Sequence, residues 1–171
     1  MFYYIRFGFI LIIILLSASH VNAAQFEDYQ WGMSKKEAIK HVKQDGYKID
    51  INQNYGDKFG ESIGYKDRLL GYKIGVTLEF TPKTKKLWAV SLKSSKKVLG
   101  EKLRLILTDK YGKPDKSQKI IETYGWTKNG MLSIYLKYKE HTVLNYYSTK
   151  YSPIFFQEKK ELDQKEDRAK F

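Results

Sequence analysis

Histidine and cysteine, the residue types that most often carry nucleophilic or metal chemistry, are scarce in this sequence. It contains three histidines, His20, His41 and His141, and no cysteine. A catalytic or metal site needs several such groups that converge. The spacing around His41 and His141 provides neither a serine–histidine–acid arrangement nor a set of metal ligands. The sequence therefore predicts no catalytic residue, no metal site and no cofactor, and the absence of cysteine excludes a disulfide or a cysteine-borne lipid anchor within these residues.

The acidic residues of the central part of the chain are scattered instead of paired. The candidates are Glu61, Asp67, Glu79 and Glu122. A glycosidase needs two carboxyl groups held across a sugar at a defined separation. Because no two of these acids stand out as a pair, each is more typical of a cross-strand partner for a lysine. A hydrolase that acts on an envelope polymer stays open as an alternative function.

Basic residues dominate the charge. The formal net charge is +12, and removal of the first 23 residues, of which only Arg6 is charged, leaves +11. The segment 157–171 contains five basic and five acidic residues and is neutral, so the excess lies on the body of the protein. Such a body is attracted to anionic phospholipids, lipopolysaccharide phosphates or teichoic acids. The alternative is that the lysines only keep a small protein soluble.

Lysine and tyrosine are the residues best suited to binding. Lysines cluster in the segment 82–86, and tyrosines crowd the last three predicted strands, where alternation sends some of them to the face opposite the core. Exposed tyrosine beside lysine suits sugars, lipid headgroups or a protein partner. The alternative is an ordinary sheet with solvated lysines and cross-strand tyrosines. The candidate binding residues are Lys73, Lys83, Lys85, Lys86, Tyr135 and Lys137.

A β-hairpin is expected to position these residues. Apolar side chains occupy every second position from Tyr72 to Phe80, which is typical of a strand with one buried face. A turn-like segment, 81–86, follows. The alternation then returns with Trp88, Val90 and Leu92 on one face. The pattern predicts an antiparallel hairpin in the centre of a sheet.

Two helices are expected to cover the apolar face. Ser34 and Glu37 have the spacing of a capping box, which predicts a helix that begins there and ends near Gly46. A second helical pattern runs from about Lys97 to Tyr111 and stops before Pro114. Gly100 lies inside this second helix, where glycine costs about 1 kcal/mol relative to alanine, so it indicates close packing.

Strands are predicted again over 119–126, 131–138 and 142–148, with Asn129-Gly130 as a hairpin turn. Tyr138 is expected to join Leu136 in the core, with Tyr135 on the opposite face. The predicted fold class is α+β: an antiparallel β-sheet covered by two helices, with two tandem helix-plus-meander units as one interpretation. Residues 24–155 are expected to form a single domain, and 156–171 a charged helical or disordered tail.

The segment 1–23 has the three parts of a cleavable signal peptide. Arg6 is the positive region, Phe7 to Leu16 is an uninterrupted apolar run, and Val21-Asn22-Ala23 ends in a small residue. An uncleaved anchor is the alternative, but the run is short for a hydrocarbon core of ~30 Å. The expectation is an exported protein, periplasmic or secreted, with cleavage near Ala23.

Three local motifs carry a resemblance to known proteins. They are Trp31-Gly32-x-Ser34 at the start of a helix, Lys110-Tyr111-Gly112-x-Pro114 at a helix exit, and Trp126 in the strand that follows. Together they resemble small exported bacterial proteins of unknown function, whose folds are similar to those of β-lactamase inhibitor proteins and of small outer-membrane assembly lipoproteins. The resemblance implies an α/β fold over most of residues 26–148. Because the lipid-bearing cysteine of the lipoprotein group is missing, the resemblance does not imply anchoring in the outer membrane, and no functional residue is carried over from it.

These observations favour an exported binding module over an enzyme. Its expected partner is an envelope protein or an anionic envelope polymer or lipid surface, and export argues against nucleic acid. The opposite face of the sheet and the 82–86 turn are the expected contact surface. An inhibitor-like module that inserts a hairpin loop into a partner protein is the second interpretation.

Overall fold

The computed structural model describes residues 29–54, 60–118, 122–128 and 132–168. The predicted signal peptide and the Asn129-Gly130 turn lie outside these residues. In chain order the elements are α1 (Lys35–Gln44), β1 (Ile49–Asn54), β2 (Glu61–Leu69), β3 (Tyr72–Phe80), β4 (Leu87–Ser94), α2 (Lys97–Tyr111), β5 (Lys116–Gln118), β6 (Thr123–Lys128), β7 (Leu132–Lys137), β8 (Thr142–Ser148) and α3 (Ser152–Arg168).

The described strands form one antiparallel sheet of eight strands in the order β1-β2-β3-β4-β8-β7-β6-β5. The two outer halves are meanders, and β4 pairs with β8 at the centre, with Leu92 opposite Leu144. The predicted α+β class with an antiparallel sheet is therefore confirmed. The interpretation as two tandem units stays a prediction.

One face of the sheet, which we call the core face, carries the main apolar core. From α1 it receives Ala38 and Val42, and from α2 it receives Leu103 and Leu107, all fully buried. The spacing of three or four residues places each pair on one side of its helix. The strands contribute Ile63, Tyr65, Leu69, Ile74, Val76, Leu78, Phe80, Leu87, Val90, Leu92, Trp126, Ile134, Leu136, Leu144 and Tyr146.

The predicted start of α1 is confirmed. Glu37 N–H donates to the Ser34 hydroxyl at 3.3 Å, while Ser34 N–H donates to the Glu37 carboxylate at 2.7 Å. These two bonds satisfy amides that the first helical turn leaves without partners. Ser34 also forms an isolated β-bridge with Lys86, the residue before β4, so the capped end of α1 is bonded to the turn end of the central hairpin.

The second helix also lies where the pattern predicts it, and Gly100 has the close contact that its position indicated. A Cβ atom at Gly100 would lie 2.0 Å from Cβ of Tyr138 and 2.9 Å from Oγ1 of Thr142. Tyr138 is buried with Leu136, as expected. At the other end of α2, Trp126 Nε1 donates to the Gly112 carbonyl at 3.0 Å. The helix exit and the Trp126 strand are therefore in direct contact.

The cover of the sheet differs from the two predicted helices, because the third helix, α3, packs on the other face. Phe155 stacks on Trp88 with ring centroids 4.1 Å apart, and Glu158 is buried against the 81–86 turn. The segment 156–171, predicted as a helical or disordered tail, is helical up to Arg168, and the boundary expected after residue 155 lies inside α3.

A β-bulge explains why Trp88 leaves the core face. The register of β3 and β4 shifts between Glu79 opposite Ala89 and Phe80 opposite Leu87. A bulge places an extra residue in one strand and changes the direction of its side chains. Leu87 therefore joins Val90 in the main core, and Trp88 packs with Ala89 and Phe155 on the other side. The prediction that Trp88 shares the face of Val90 was wrong.

Candidate functional site

The side of the sheet opposite α1 and α2, which we call the open face, is lined by small and polar side chains. Cross-strand pairs such as Gly64 with Thr77 and Thr77 with Ser91 lie in its centre. Short side chains there leave room above the backbone. The open-face residues of β2, β3 and β4 are Ser62, Gly64, Lys66, Arg68, Lys73, Gly75, Thr77, Glu79, Ala89, Ser91 and Lys93.

Between α3 and the strands lies a groove with a volume of about 520 Å³, which we call the Glu79 groove. Its position follows from the stack of Phe155 on Trp88, which holds the start of α3 above one end of the sheet. The groove is lined by Glu61, Ser62, Thr77, Glu79, Ser91, Lys93 and Phe155.

Glu79 lines this groove and is partly buried. Burial raises the pKa of its carboxyl group above the ordinary value, although the Ser91 hydroxyl and the positive charge of Lys93 act in the opposite direction. Ser91 Oγ donates to Glu79 Oε1 at 3.1 Å. The cross-strand partner of Glu79 is Ser62, whose side chain is only 1% exposed and whose hydroxyl has no hydrogen-bond partner among the described residues.

A second groove, of about 630 Å³, lies toward the hairpin between β2 and β3, and we call it the cationic groove. Its charged residues are four cations, Lys66, Arg68, Lys73 and Lys93, and one carboxylate, Asp67. Asp67 accepts hydrogen bonds from the Tyr47 hydroxyl and from the Arg68 amide. The backbone at Gly75 forms part of the wall, and Lys93 lines both grooves.

The lysines of the cationic groove differ in their partners. Lys66 forms an ion pair with Asp50 at 3.2 Å, and its side chain is 84% exposed. Lys73 forms no ion pair with another described residue. Opposite charges that are missing from the protein can be supplied by a ligand. The charge balance of the groove therefore favours an anion.

The structure places three of the predicted binding residues on this open face. Lys73 lies at the start of β3. Lys93 and Lys137 lie on either side of β8, where both are cross-strand partners of Val143. With a strand spacing of about 4.8 Å, the Cα atoms of Lys93 and Lys137 are about 10 Å apart. Tyr135 is exposed and lies two residues before Lys137 in β7. Its cross-strand partner is Asn145 of β8, which is also the partner of Ser91 in β4.

The other three predicted residues, Lys83, Lys85 and Lys86, lie at the far end of β3, roughly 26 Å from Lys73. Lys83 Nζ pairs with Glu161 at 2.6 Å, and Lys85 Nζ pairs with Glu61 at 3.2 Å. Lys86 is exposed. The six predicted residues therefore do not form one surface.

Glu158 holds the turn itself. Its carboxylate accepts hydrogen bonds from Lys83 N–H at 2.7 Å, from Thr84 N–H at 3.2 Å and from Thr84 Oγ1 at 2.7 Å. These charge-assisted bonds satisfy backbone donors that a tight turn would otherwise expose to water. The 82–86 turn is thus bound by α3, within the molecule.

Sequence reasoning missed the Glu79 groove and the role of α3. Ser62, Gly64, Gly75 and Ser91 are small residues at alternate positions of adjacent strands, and this was the available signal for a groove. For α3, the signal was the spacing of three between Phe155 and Glu158, which places both on one side of a helix. This pair of residues is surrounded by charged residues that are typical of a solvated tail, and the segment was therefore not predicted to pack on the sheet.

The described residues contain no group of three or more His, Cys, Asp or Glu side chains that could hold a metal ion. His41 pairs with Asp45 at 3.0 Å on the exposed side of α1. No helix within the described part of the chain combines the length and apolarity needed to cross a bilayer. Comparison with protein-family models, curated protein sequences and solved structures found no match. The resemblance to small exported proteins therefore stays a prediction.

Proposed function

We propose that this protein is an exported binding module that holds an anionic component of the cell envelope on its open face. The observation that carries the proposal is the cationic groove, which is lined by four cations and by one carboxylate, Asp67, that is already hydrogen-bonded. Lys137 and Tyr135 extend the same surface across β7. Export itself is proposed from the signal-like segment that ends at Ala23.

Binding is favoured over hydrolysis by the positions of the two acids near the Glu79 groove. Ser62 pairs with Glu79, whereas Glu61 pairs with Phe80, a core-face residue. Cross-strand partners share a face, so Ser62 and Glu79 both point to the open face. Glu61 is the neighbour of Ser62 in β2 and therefore points to the opposite, core face. Glu61 is also held by Lys35 at 2.5 Å and by Lys85. The two carboxyl groups are therefore not arranged across a shared sugar, as a glycosidase would require.

The open face is favoured over the hairpin turn as the contact surface. An inhibitor-like loop has to present its turn to the partner. Here the backbone of the turn is bonded to Glu158, and Lys83 is paired with Glu161. Use of the turn would require α3 to release it, whereas the cationic groove is accessible as it stands.

The test compares two triple variants that remove the same charge. Lys73→Gln/Lys93→Gln/Lys137→Gln removes three positive charges from the open face, and Lys36→Gln/Lys40→Gln/Lys43→Gln removes three from exposed lysines of α1. The protein is purified from a bacterial host that expresses the full chain, and its N-terminus is determined, since processing after Ala23 is expected. Binding to isolated envelopes and to anionic phospholipid vesicles is then measured by cosedimentation at low and high salt.

The open-face variant should bind envelopes about tenfold more weakly, since three exposed charge contacts of roughly 0.5 kcal/mol each correspond to that factor. The α1 variant should bind like the unmodified protein. Equal losses in both variants would show that only net charge matters, and unchanged binding in the open-face variant would place the partner elsewhere. Either result overturns the proposal.

A further inference from the structure

The Glu79 groove has a mixed set of hydrogen-bonding groups. Ser62, Thr77 and Ser91 supply hydroxyls that both donate and accept, Glu79 supplies carboxyl oxygens, and Lys93 supplies an ammonium donor. The ring of Phe155 forms part of the wall. A ligand that matches this set has to offer several donors and several acceptors on a compact, partly apolar frame. A sugar ring meets that description.

Two observations indicate that this hydrogen-bonding capacity is not used within the protein. The hydroxyl of Ser62 is buried and has no partner among the described residues. Buried polar groups are normally hydrogen-bonded, and leaving one without a partner costs about 1–3 kcal/mol. Its neighbour Glu79 accepts a bond from Ser91 on one carboxyl oxygen, Oε1. A hydroxyl-bearing ligand in the groove would supply what these two residues lack.

The groove has the dimensions of a small-molecule site. Such sites have volumes of roughly 300–1,000 Å³, and the Glu79 groove has about 520 Å³. It also borders the cationic groove, because Lys93 lines both. Lys93 and Ser91 are two residues apart on β4, so their Cα atoms are separated by roughly 7 Å. A sugar ring beside Ser91 would therefore bring a charged substituent within reach of Lys93 and Lys73.

We propose that the two grooves form one site for a sugar residue that carries an anionic group, phosphate or carboxylate. The ring lies in the Glu79 groove against Phe155, with its hydroxyls on Ser62, Thr77, Glu79 and Ser91, and the anionic group lies in the cationic groove at Lys93 and Lys73. This inference rests on the proposed function and names the chemical class of its ligand: a charged glycan of the envelope instead of a phospholipid headgroup.

The experiment follows backbone amide signals of the ¹⁵N-labelled protein, purified from cells that express the full chain, during titration with defined probes. The probes are inorganic phosphate, glucose, glucose 6-phosphate and glucuronic acid. Inorganic phosphate is expected to shift amides near Lys73 and Lys93 alone. Glucose 6-phosphate should shift these and also the amides of Ser62, Thr77 and Ser91, with a Kd about tenfold below that of phosphate. Glucuronic acid distinguishes a carboxylate ligand from a phosphate ligand.

Two variants assign the two halves of the site. Glu79→Leu keeps the size of the side chain and removes its hydrogen bonds, so it should abolish the advantage of glucose 6-phosphate over phosphate while the phosphate shifts persist. The persisting shifts also report that the variant is folded. Lys93→Gln should weaken the binding of both phosphate and glucose 6-phosphate.

The inference is overturned if neither charged sugar binds more tightly than inorganic phosphate, or if the sugar-dependent shifts do not map to the Glu79 groove. This outcome is independent of the envelope assay. Loss of envelope binding in the open-face variant together with no sugar preference would leave the proposed function in place with a different anionic ligand, such as the phospholipid of the vesicles. Retained envelope binding in that variant would overturn the proposed function.

Discussion

The two faces of the sheet use the same strands for different purposes. Along β3, Ile74, Val76 and Leu78 point to the core face and are at most 3% exposed, while Gly75 and the other open-face residues alternate with them. Burial of each large apolar side chain contributes roughly 1.5–3 kcal/mol. Stability is therefore concentrated on the core face, and the open face is free to carry grooves and charge. A change of the same chemistry should have opposite consequences on the two faces.

The largest difference in stability is expected when one glycine on the core side of the sheet and one on its open face are each replaced by alanine. At Gly100 a new Cβ would lie 2.0 Å from Cβ of Tyr138, whereas at Gly75 it would meet no atom within 4 Å. Overpacking a core costs typically 1–3 kcal/mol, so Gly100→Ala should lower the free energy of unfolding by about 2 kcal/mol. Gly75→Ala should raise it by about 0.5 kcal/mol, because alanine loses less backbone entropy than glycine.

Urea denaturation of both variants measures this difference. Helix propensity alone would make Gly100→Ala stabilising, since alanine is favoured over glycine by about 1 kcal/mol. A stabilised Gly100→Ala protein would therefore show that α2 is not packed against Tyr138 as described, and the assignment of the core face would have to be revised.

The core face was also the part of the molecule that sequence patterns could predict. Alternation over Tyr72–Phe80 and the Ser34–Glu37 capping spacing are local signals whose physical cause lies within a few residues. Both were confirmed by the register of β3 and by the hydrogen bonds at α1. Gly100 indicated close packing correctly, because glycine is unfavourable inside a helix unless a neighbouring residue leaves no room for a side chain.

The open face could not be predicted to the same extent, because its features depend on residues distant in sequence. The bulge that turns Trp88 toward Phe155 is a single extra residue in β4. The bonds from Lys83 and Thr84 to Glu158 join residues 74 or 75 positions apart. Three of the predicted binding residues share the open face, but Lys83 and Lys85 are paired within the molecule because carboxylates of α3 and β2 reach them.

A smaller difference in stability is expected between a buried and an exposed contact of α3 with the 81–86 turn. Glu158 is 6% exposed and accepts two backbone N–H bonds, whereas Glu161 pairs with Lys83 in solvent. Glu158→Gln should cost about 1 kcal/mol, because its one amide oxygen is a neutral, weaker acceptor and its NH2 group cannot accept the hydrogen bonds that the second carboxylate oxygen accepts from the turn. Glu161→Gln should leave stability unchanged within error, as is typical of surface ion pairs.

Hydrogen exchange at the amides of Lys83 and Thr84 reports the effect locally. Glu158→Gln should speed exchange at both sites, and Glu161→Gln should not. If the two variants exchange alike, α3 does not hold the turn through Glu158, and the turn becomes available as a contact surface. That result would favour the inhibitor-like interpretation over the open face.

The smallest effect expected is a difference in pH dependence between the two faces. On the open face, burial raises the native pKa of Glu79 above the ordinary 4.5. The native state then binds this proton more tightly than the unfolded state, so stability falls as pH rises from the unfolded pKa through the native one. Glu79→Gln cannot ionise, and its amide oxygen can still accept the Ser91 bond. The variant should therefore be more stable than the unmodified protein at about pH 7, and this advantage should vanish below about pH 4.

Glu61 provides the matched comparison with the opposite sign. The hydrogen bond from Lys35, a residue of α1, holds the pKa of Glu61 below its ordinary value. Its stabilisation is present above the unfolded pKa and is lost as pH falls through the native pKa. Glu61→Gln should therefore be less stable at neutral pH and converge with the unmodified protein in acid. Urea denaturation from pH 3 to pH 8 measures both curves. A Glu79→Gln protein that is destabilised at neutral pH would mean that groups within the protein compensate the Glu79 charge. A ligand would then not be needed to supply partners for Glu79.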